Sequence, residues 1–322
     1  MVLATKNNGM ELKSMNILGL FPGQGSQSVG MGKDWFDKSD EAKKIFATAD
    51  EVLGYSLSKL CFEGPIDDLT LTQNAQPALL TVGYISYKLS NLNPSIVAGH
   101  SLGEYTALLA ANSLKFEDAV KLVHNRGQYM QEAIPVGVGA MVAVMGMDED
   151  KLRDSLANFN NGVVEIANIN SPGQIVLAGE KQAVSKFTEV LNGLGAKTIL
   201  LNVSAPFHCG LMKPAADKLA LDLDKVEFKA PEIKAYSNFS TKEIKTAEDA
   251  KNLLKEQVCG TVNWTKELLN IFEENDVQSS IEFGPGGVLS KLMKRINPKI
   301  SRFEVFDFAS LENAKSKLEI TS

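Results

Sequence analysis

The segment Val97-Ala98-Gly99-His100-Ser101-Leu102-Gly103-Glu104-Tyr105 sets a serine between two glycines directly after an apolar run. That pattern restricts the local fold to a strand, a sharp turn and a helix, with the Ser101 hydroxyl presented at the apex. The flanks fit this reading. Residues 94–98 read as a short buried strand, and Leu102 to Ala111 is rich in Leu and Ala, as a helix would be. A G-x-S-x-G string also occurs in ordinary loops, so the nucleophile reading rests on this strand-turn-helix context.

A chain of 322 residues with 44% hydrophobic side chains can bury a sizeable core. Its net charge of −6 argues against a nucleic-acid partner, which normally meets a strongly basic face. Cys61, Cys209 and Cys259 are far apart and form no C-x-x-C pair, so neither a metal site nor a disulfide framework is indicated. The expected setting is a reducing cytoplasm. No run approaches the ~20 apolar residues of a membrane span, and Met1 to Ser14 lacks the apolar core of a secretory signal. This leader, 1–14, is expected to be a disordered extension, and the protein is expected to be a monomer.

The pattern along the chain is that of an α/β protein. A buried strand over Asn16–Phe21 ends in the turn-rich loop Pro22-Gly23-Gln24-Gly25-Ser26-Gln27, and helices are expected from about Lys43 to Leu60 and from about Pro77 to Leu89. A further helix from Phe116 to about Ala133 carries an apolar stripe with Arg126 at its edge. Such a guanidinium is either structural or a clamp for an anion. Between residues 139 and 204 the order strand, helix, strand, strand, helix, strand is that of a ferredoxin-like unit. The parts on either side, 15–138 and 205–322, then form one larger domain with a parallel sheet, and a cleft between the two units is the natural site. After residue 205 the expected elements are a helix from about Leu211, a strand near 233–237, helices near 247–257 and 264–274, a strand at 279–283 and a final helix.

A serine nucleophile needs a base within reach, and imidazole suits that work near neutral pH. Of the three histidines, His100 should point away from the direction Ser101 takes, and His124 lies on the far flank of the Arg126 helix. His208, in a loop between a strand and a helix, is the candidate. No Asp or Glu stands in an obvious position to orient it, and a backbone carbonyl can do so equally well. Oxyanion stabilisation would come from the N–H of Leu102 and one from the Gly23-Gln24-Gly25 turn. The glycine-rich loops at 23–28, 32–34 and 284–289 each depart from the phosphate-binding patterns, so no nucleotide or other cofactor is expected.

Five separated segments, taken together, resemble the malonyl-CoA:acyl-carrier-protein transacylase family of fatty acid synthesis, over about Asn16 to Ile296. They are Phe21-Pro22-Gly23-Gln24-Gly25-Ser26-Gln27; Gly99 to Tyr105; Arg126-Gly127 with Met130-Gln131-Glu132-Ala133; Ala167-Asn168 to Pro172-Gly173-Gln174; and Val203-Ser204-Ala205-Pro206-Phe207-His208. The resemblance implies an α/β-hydrolase-like core interrupted by the smaller subdomain. It also implies a ping-pong transfer in which Ser101 takes malonyl from malonyl-CoA and passes it to the phosphopantetheine thiol of an acyl carrier protein. His208 would be base and then acid, and Gln257 would supply the carbonyl that orients it. Gln24 and Leu102 would donate to the oxyanion, and Arg126 would bind the free malonyl carboxylate. Leu102 and Phe207 look like the malonyl-selecting forms found in related modular acyltransferases. Asn168 and Asn170 fall in a matching segment, as substrate contacts or as loop supports. Lys291, Lys294, Arg295 and Lys299 are either a carrier-docking face or a solvated helix.

Three rivals remain at this stage: an acyltransferase serving a polyketide assembly line, a hydrolase sharing the serine turn, and a non-catalytic carrier-binding protein. An arginine in the acyl pocket would serve no purpose for a neutral ester, and intact Ser101, His208 and Arg126 argue against a decayed site.

Overall fold

The computed structural model describes residues 16–203 and 205–318, so the leader 1–14 and Ser204 lie outside the described residues. In chain order the strands are β1 (Asn16–Phe21), β2 (Ile96–Gly99), β3 (Gly139–Met145), β4 (Val164–Ser171) and β5 (Gln174–Glu180). They continue as β6 (Lys197–Leu200), β7 (Lys234–Tyr236), β8 (Glu243–Ile244), β9 (Val277–Phe283) and β10 (Ser301–Val305).

The larger sheet runs β10-β9-β1-β2-β7-β8, parallel except where β8 turns back along β7. β1 is buried along nearly its whole length, as a parallel strand covered by helices on both faces must be. Leu18 and Leu20 pack to one side with Ile96, Trp264 and Leu289, whereas Ile17 and Phe21 face the other with Val97 and Leu108.

At the end of β2 the chain turns through Ser101 into the helix Gly103–Ala110. A Cβ on Gly99 would overlap the Gly103 carbonyl, and a Cβ on Gly103 would overlap that of Phe21. The two glycines therefore let the elbow close onto itself and onto β1.

The second sheet has the order β4-β5-β3-β6 and is antiparallel throughout. With the helices Glu149–Ala157 and Lys181–Gly193 it has the ferredoxin-like strand order that the alternation of elements led us to expect. It is laced to the rest of the molecule along β4. The Ile169 N–H donates to the Val262 carbonyl at 2.9 Å, and the Val262 N–H to that of Ala167 at 2.9 Å.

Some boundaries differ from the sequence reading. The expected helix over 43–60 is two, Asp40–Leu53 and Leu57–Glu63, because Gly54 adopts φ 73° and Ser56 caps the second by accepting from the Lys59 N–H. The helix expected at Pro77 begins at Thr72, so Pro77 is internal and cannot bond the carbonyl of Gln73 one turn back. His124 Nδ1 donates to that carbonyl at 2.9 Å. Short elements at Lys33–Lys38, Ile66–Thr70 and β8, and the closing β10 with helix Phe308–Lys317, were not anticipated.

The helices Thr72–Ser90 and Phe116–Glu132 touch at Gly127, where a Cβ would sit 2.5 Å from the Thr72 carbonyl oxygen and 2.7 Å from the Gln73 Cα. Gly127→Ala is therefore expected to destabilise the fold by ~1–3 kcal/mol through overpacking, seen as a lowered midpoint in thermal denaturation.

Candidate active site

Ser101 and His208 both lie in the left-handed region, with φ of 53° and 59°. Such backbone costs ~1–3 kcal/mol per residue and persists only where surrounding bonds enforce it. Here it brings together two side chains 107 residues apart in sequence, Ser101 Oγ and His208 Nε2, at 2.7 Å. On the far side of the ring, His208 Nδ1 lies 2.9 Å from the main-chain carbonyl of Gln257. A carbonyl can only accept, so Nδ1 carries the proton and Nε2 is left to accept from the serine hydroxyl. Burial pushes the His208 pKa down to about 3, assisted by the positive charge of Arg126.

A base this hard to protonate stays neutral well below the usual imidazole range. The acid limb of kcat/KM, which reports the free protein, is therefore expected well below pH 6.5. In Arg126→Ala it should move upward, because the neighbouring charge is removed. A pH series of serine acylation rates on both proteins checks this.

Arg126 projects from the helix Phe116–Glu132 and is 1% exposed. Its Nη1 donates to Gln76 Oε1 at 2.8 Å, and its Nη2 to Gln257 Oε1 at 3.0 Å and to Ser101 Oγ at 3.1 Å. The guanidinium also lies over the Tyr105 ring, 5.6 Å from its centroid. Its hydrogen-bond acceptors are thus two amide oxygens and a hydroxyl, none of them charged. A buried cation satisfied only by neutral groups is unusually receptive to an anion.

A cavity of about 250 Å³ opens over these groups, lined by Gln24, Ser101, Leu102, Arg126, Asn168, Phe207 and His208 among others. Every sequence-predicted site residue except Gln257 lines it. Gln257, fully buried, stands behind His208 and Arg126. Gln24 is held by a 3.4 Å bond from its amide to Thr72 Oγ1. The preceding Gly23 sits so close to the elbow that a Cβ would lie 2.6 Å from the His100 carbonyl oxygen. Among the described residues, neither the Gln24 nor the Leu102 N–H donates to another group. Met130, Met141, Val176 and Leu201 add to the apolar part of the lining that Leu102 and Phe207 begin.

The sequence reading missed several contributors. His100 stands among the residues around the cavity, and its ring meets Asn170 and Trp264 and not the Ser101 hydroxyl, with Nε2 2.8 Å from Asn170 Oδ1 and the ring edge-on to Trp264. Through that bond Asn170 supports His100, and both Asn168 and Asn170 line the cavity. Gln76, which holds Arg126, was hidden because an amide on a helix carries no sequence signature. Asn238, Glu104 and Glu267 form a buried polar cluster beneath the elbow. Only Glu104, three residues after the serine, had any sequence cue.

The acyl transferase domain family model matches residues 20–297. The malonyl CoA-acyl carrier protein transacylase of Bacillus subtilis is 44% identical over 93% of this chain and 96% of its own length. The protein of that name from Escherichia coli is 43% identical over 86% and 91%. Among solved structures, an acyl carrier protein S-malonyltransferase from Vibrio cholerae superposes with a TM-score of 0.90 at 41% identity, covering 93% of this chain and all of that one. A malonyl-transacylase in complex with a type II PKS acyl-carrier protein gives a TM-score of 0.90 at 40% identity, covering 94% and 99%. With the serine, its histidine and the strand-turn-helix all inside the matched span, this chain belongs to the acyl transferase family, in the branch of the malonyl CoA-acyl carrier protein transacylases.

Proposed function

We propose that the protein transfers the malonyl group of malonyl-CoA to the phosphopantetheine thiol of an acyl carrier protein through a malonyl-serine intermediate, supplying extender units for fatty acid synthesis. The observation that carries this reading is the buried Arg126, met only by neutral acceptors and 3.1 Å from the candidate nucleophile. A neutral acyl group would leave the guanidinium hydrogen-bonded to neutral groups alone. A malonyl carboxylate would meet it in a charge-assisted pair and fix the direction of the thioester.

In the first half-reaction Ser101 Oγ attacks the thioester carbonyl as its proton passes to His208 Nε2. The Gln257 carbonyl stabilises the imidazolium through Nδ1, and the N–H groups of Leu102 and Gln24 take the developing oxyanion. Collapse breaks the C–S bond, and the departing thiolate takes the proton from His208. In the second half-reaction the carrier thiol gives its proton to His208 and attacks the serine ester. Ser101 leaves with that proton restored. Leu102 and Phe207 would narrow the pocket against an α-methyl branch, an effect worth ~1–3 kcal/mol.

We read 15–138 with 205–322 as the catalytic unit, 139–204 as the smaller insert, and the protein as a cytoplasmic monomer. Free Cys61, Cys209 and Cys259 fit a reducing compartment. Among the described residues no helix is long and apolar enough to cross a membrane. A polyketide carrier is a second reading, favoured by the likeness to the transacylase solved with a type II PKS carrier.

Intact-protein mass after brief incubation with malonyl-CoA, then with holo carrier protein, tests the proposal. A malonyl-sized adduct that the carrier discharges is the expected result. Equal labelling by acetyl-CoA would remove the role given to Arg126, and no adduct with either thioester would remove the mechanism.

A further inference from the structure

The backbone of Ser101 is gripped from both sides by side chains from distant parts of the chain. Its N–H donates to Asn238 Oδ1 at 2.6 Å, and its carbonyl accepts from Gln257 Nε2 at 2.9 Å. Both holders converge on one atom. Glu104 Oε2 accepts the Asn238 backbone N–H at 2.9 Å and Gln257 Nε2 at 2.7 Å. Gln257 is also the residue whose carbonyl orients His208.

The remaining valences of Asn238 are fixed in the same way. Its Nδ2 donates to the Gly99 carbonyl at 2.8 Å and to Glu267 Oε2 at 2.7 Å, which leaves Oδ1 aimed at Ser101. The three side chains that make this frame, Glu104, Asn238 and Glu267, are fully buried. Two buried carboxyls are costly, and burial pushes the Glu104 pKa up to about 7 and that of Glu267 well above its ordinary value. A leucine of similar size would fill the space of Glu104 without that cost, so packing does not account for the carboxyl. What it does beyond packing is join the two groups that hold the nucleophile, Asn238 and Gln257, the second of which also holds the base.

We propose that Glu104 is a positioning residue, which fixes Ser101 against His208 by anchoring Asn238 and Gln257 on a single carboxyl oxygen. This rests on the malonyl-serine reading above and adds to it a residue that touches neither substrate nor the reacting atoms.

The test compares full-length parent, E104A, E104Q and N238A. Intact mass follows Ser101 modification by malonyl-CoA and by phenylmethylsulfonyl fluoride, a neutral reagent that needs the serine–histidine pair but not Arg126. Malonyl-CoA affinity is measured with each change placed in a Ser101→Ala background, and thermal midpoints are recorded alongside. E104A and N238A are expected to slow both modifications by about 100-fold, the scale of an ångström-sized misplacement, with malonyl-CoA affinity within about threefold of the parent background. E104Q should recover most of the loss, because its amide oxygen can accept the same two N–H bonds.

If E104A and N238A melt lower but modify Ser101 at the parent rate, the proposal is overturned. An E104Q as slow as E104A overturns it too, since hydrogen-bond acceptance would not be the role. Should E104A fail to fold, N238A decides the question alone. A parent that reacts with the fluoride but not with malonyl-CoA would sink the transfer reading instead, and the fluoride rates would still judge the positioning role.

Discussion

Ser101→Ala is expected to abolish the malonyl adduct and lower transfer to the carrier by about 10⁴- to 10⁶-fold, the range found when a serine nucleophile is deleted from a hydroxyl–imidazole pair. The reason lies in how little else in the cavity could substitute. His208 is held with its proton on Nδ1 and a free Nε2 pair, yet burial and Arg126 make it a poor base in the absence of a short, aligned donor. Water admitted in place of the hydroxyl would lack the elbow that sets Ser101 Oγ at 2.7 Å. The fold should be intact, because the Oγ contributes only the bonds to His208 and Arg126. Quantifying malonylated carrier by mass spectrometry, with the thermal midpoint as a folding control, checks the expectation. Transfer within tenfold of the parent would place the nucleophile elsewhere.

Arg126→Ala is expected to reduce kcat/KM for malonyl-CoA by about 30- to 5,000-fold, which is the ~2–5 kcal/mol lost when one partner of a buried charge pair is removed. Acetyl-CoA has no carboxylate to lose. Its rate should be unchanged or should rise, because the protein no longer holds a charge that such a substrate leaves unpaired. The ratio of the two substrates therefore carries more weight than either rate. Loss of Arg126 also frees Gln76 Oε1 and Gln257 Oε1, and Gln257 is the more consequential because its carbonyl orients His208. Arg126→Lys separates the two effects, since an ammonium keeps the charge without the fork that reaches both amide oxygens. It should restore part of the malonyl preference and little of the rate.

How much of this was legible in the sequence follows from the range of each interaction. The strand-turn-helix at Ser101 could be read because its signal is local: the glycines that permit the turn lie within two residues of the serine they present. The ferredoxin-like order of the smaller sheet could be read for the same reason, each element carrying its own periodicity. Arg126 could be seen as an anomaly on an apolar stripe, but its meaning depends on Gln76 and Gln257, which lie 50 and 131 residues away. Gln257 was placed by resemblance and by nothing in its own neighbourhood. Asn238 offered no cue at all, because an asparagine after a short strand reads as a turn residue. The split of 40–63 at Gly54 is hidden because a helix-period pattern continues across the break, and Pro77 reads as a helix start because His124, which bonds the Gln73 carbonyl that Pro77 leaves orphaned, lies far along the chain.

The way the four-stranded sheet joins the rest has a consequence for how the catalytic distances survive change. Its first and last strands, β3 and β6, are hydrogen-bonded neighbours, and the Leu201 N–H extends that pairing to the Met141 carbonyl at 2.9 Å. Gly139 lies so close to the Pro206 ring that a Cβ would overlap it. Entry and exit are thus stapled side by side, and the excursion between them starts and ends at one place. Lengthening such a closed excursion costs only the slow logarithm of loop entropy, about 0.6 kcal/mol per doubling. Natural drift can therefore resize or reshape the roof over the substrate while the chain re-enters beside the point it left, and His208 arrives at Ser101 as before.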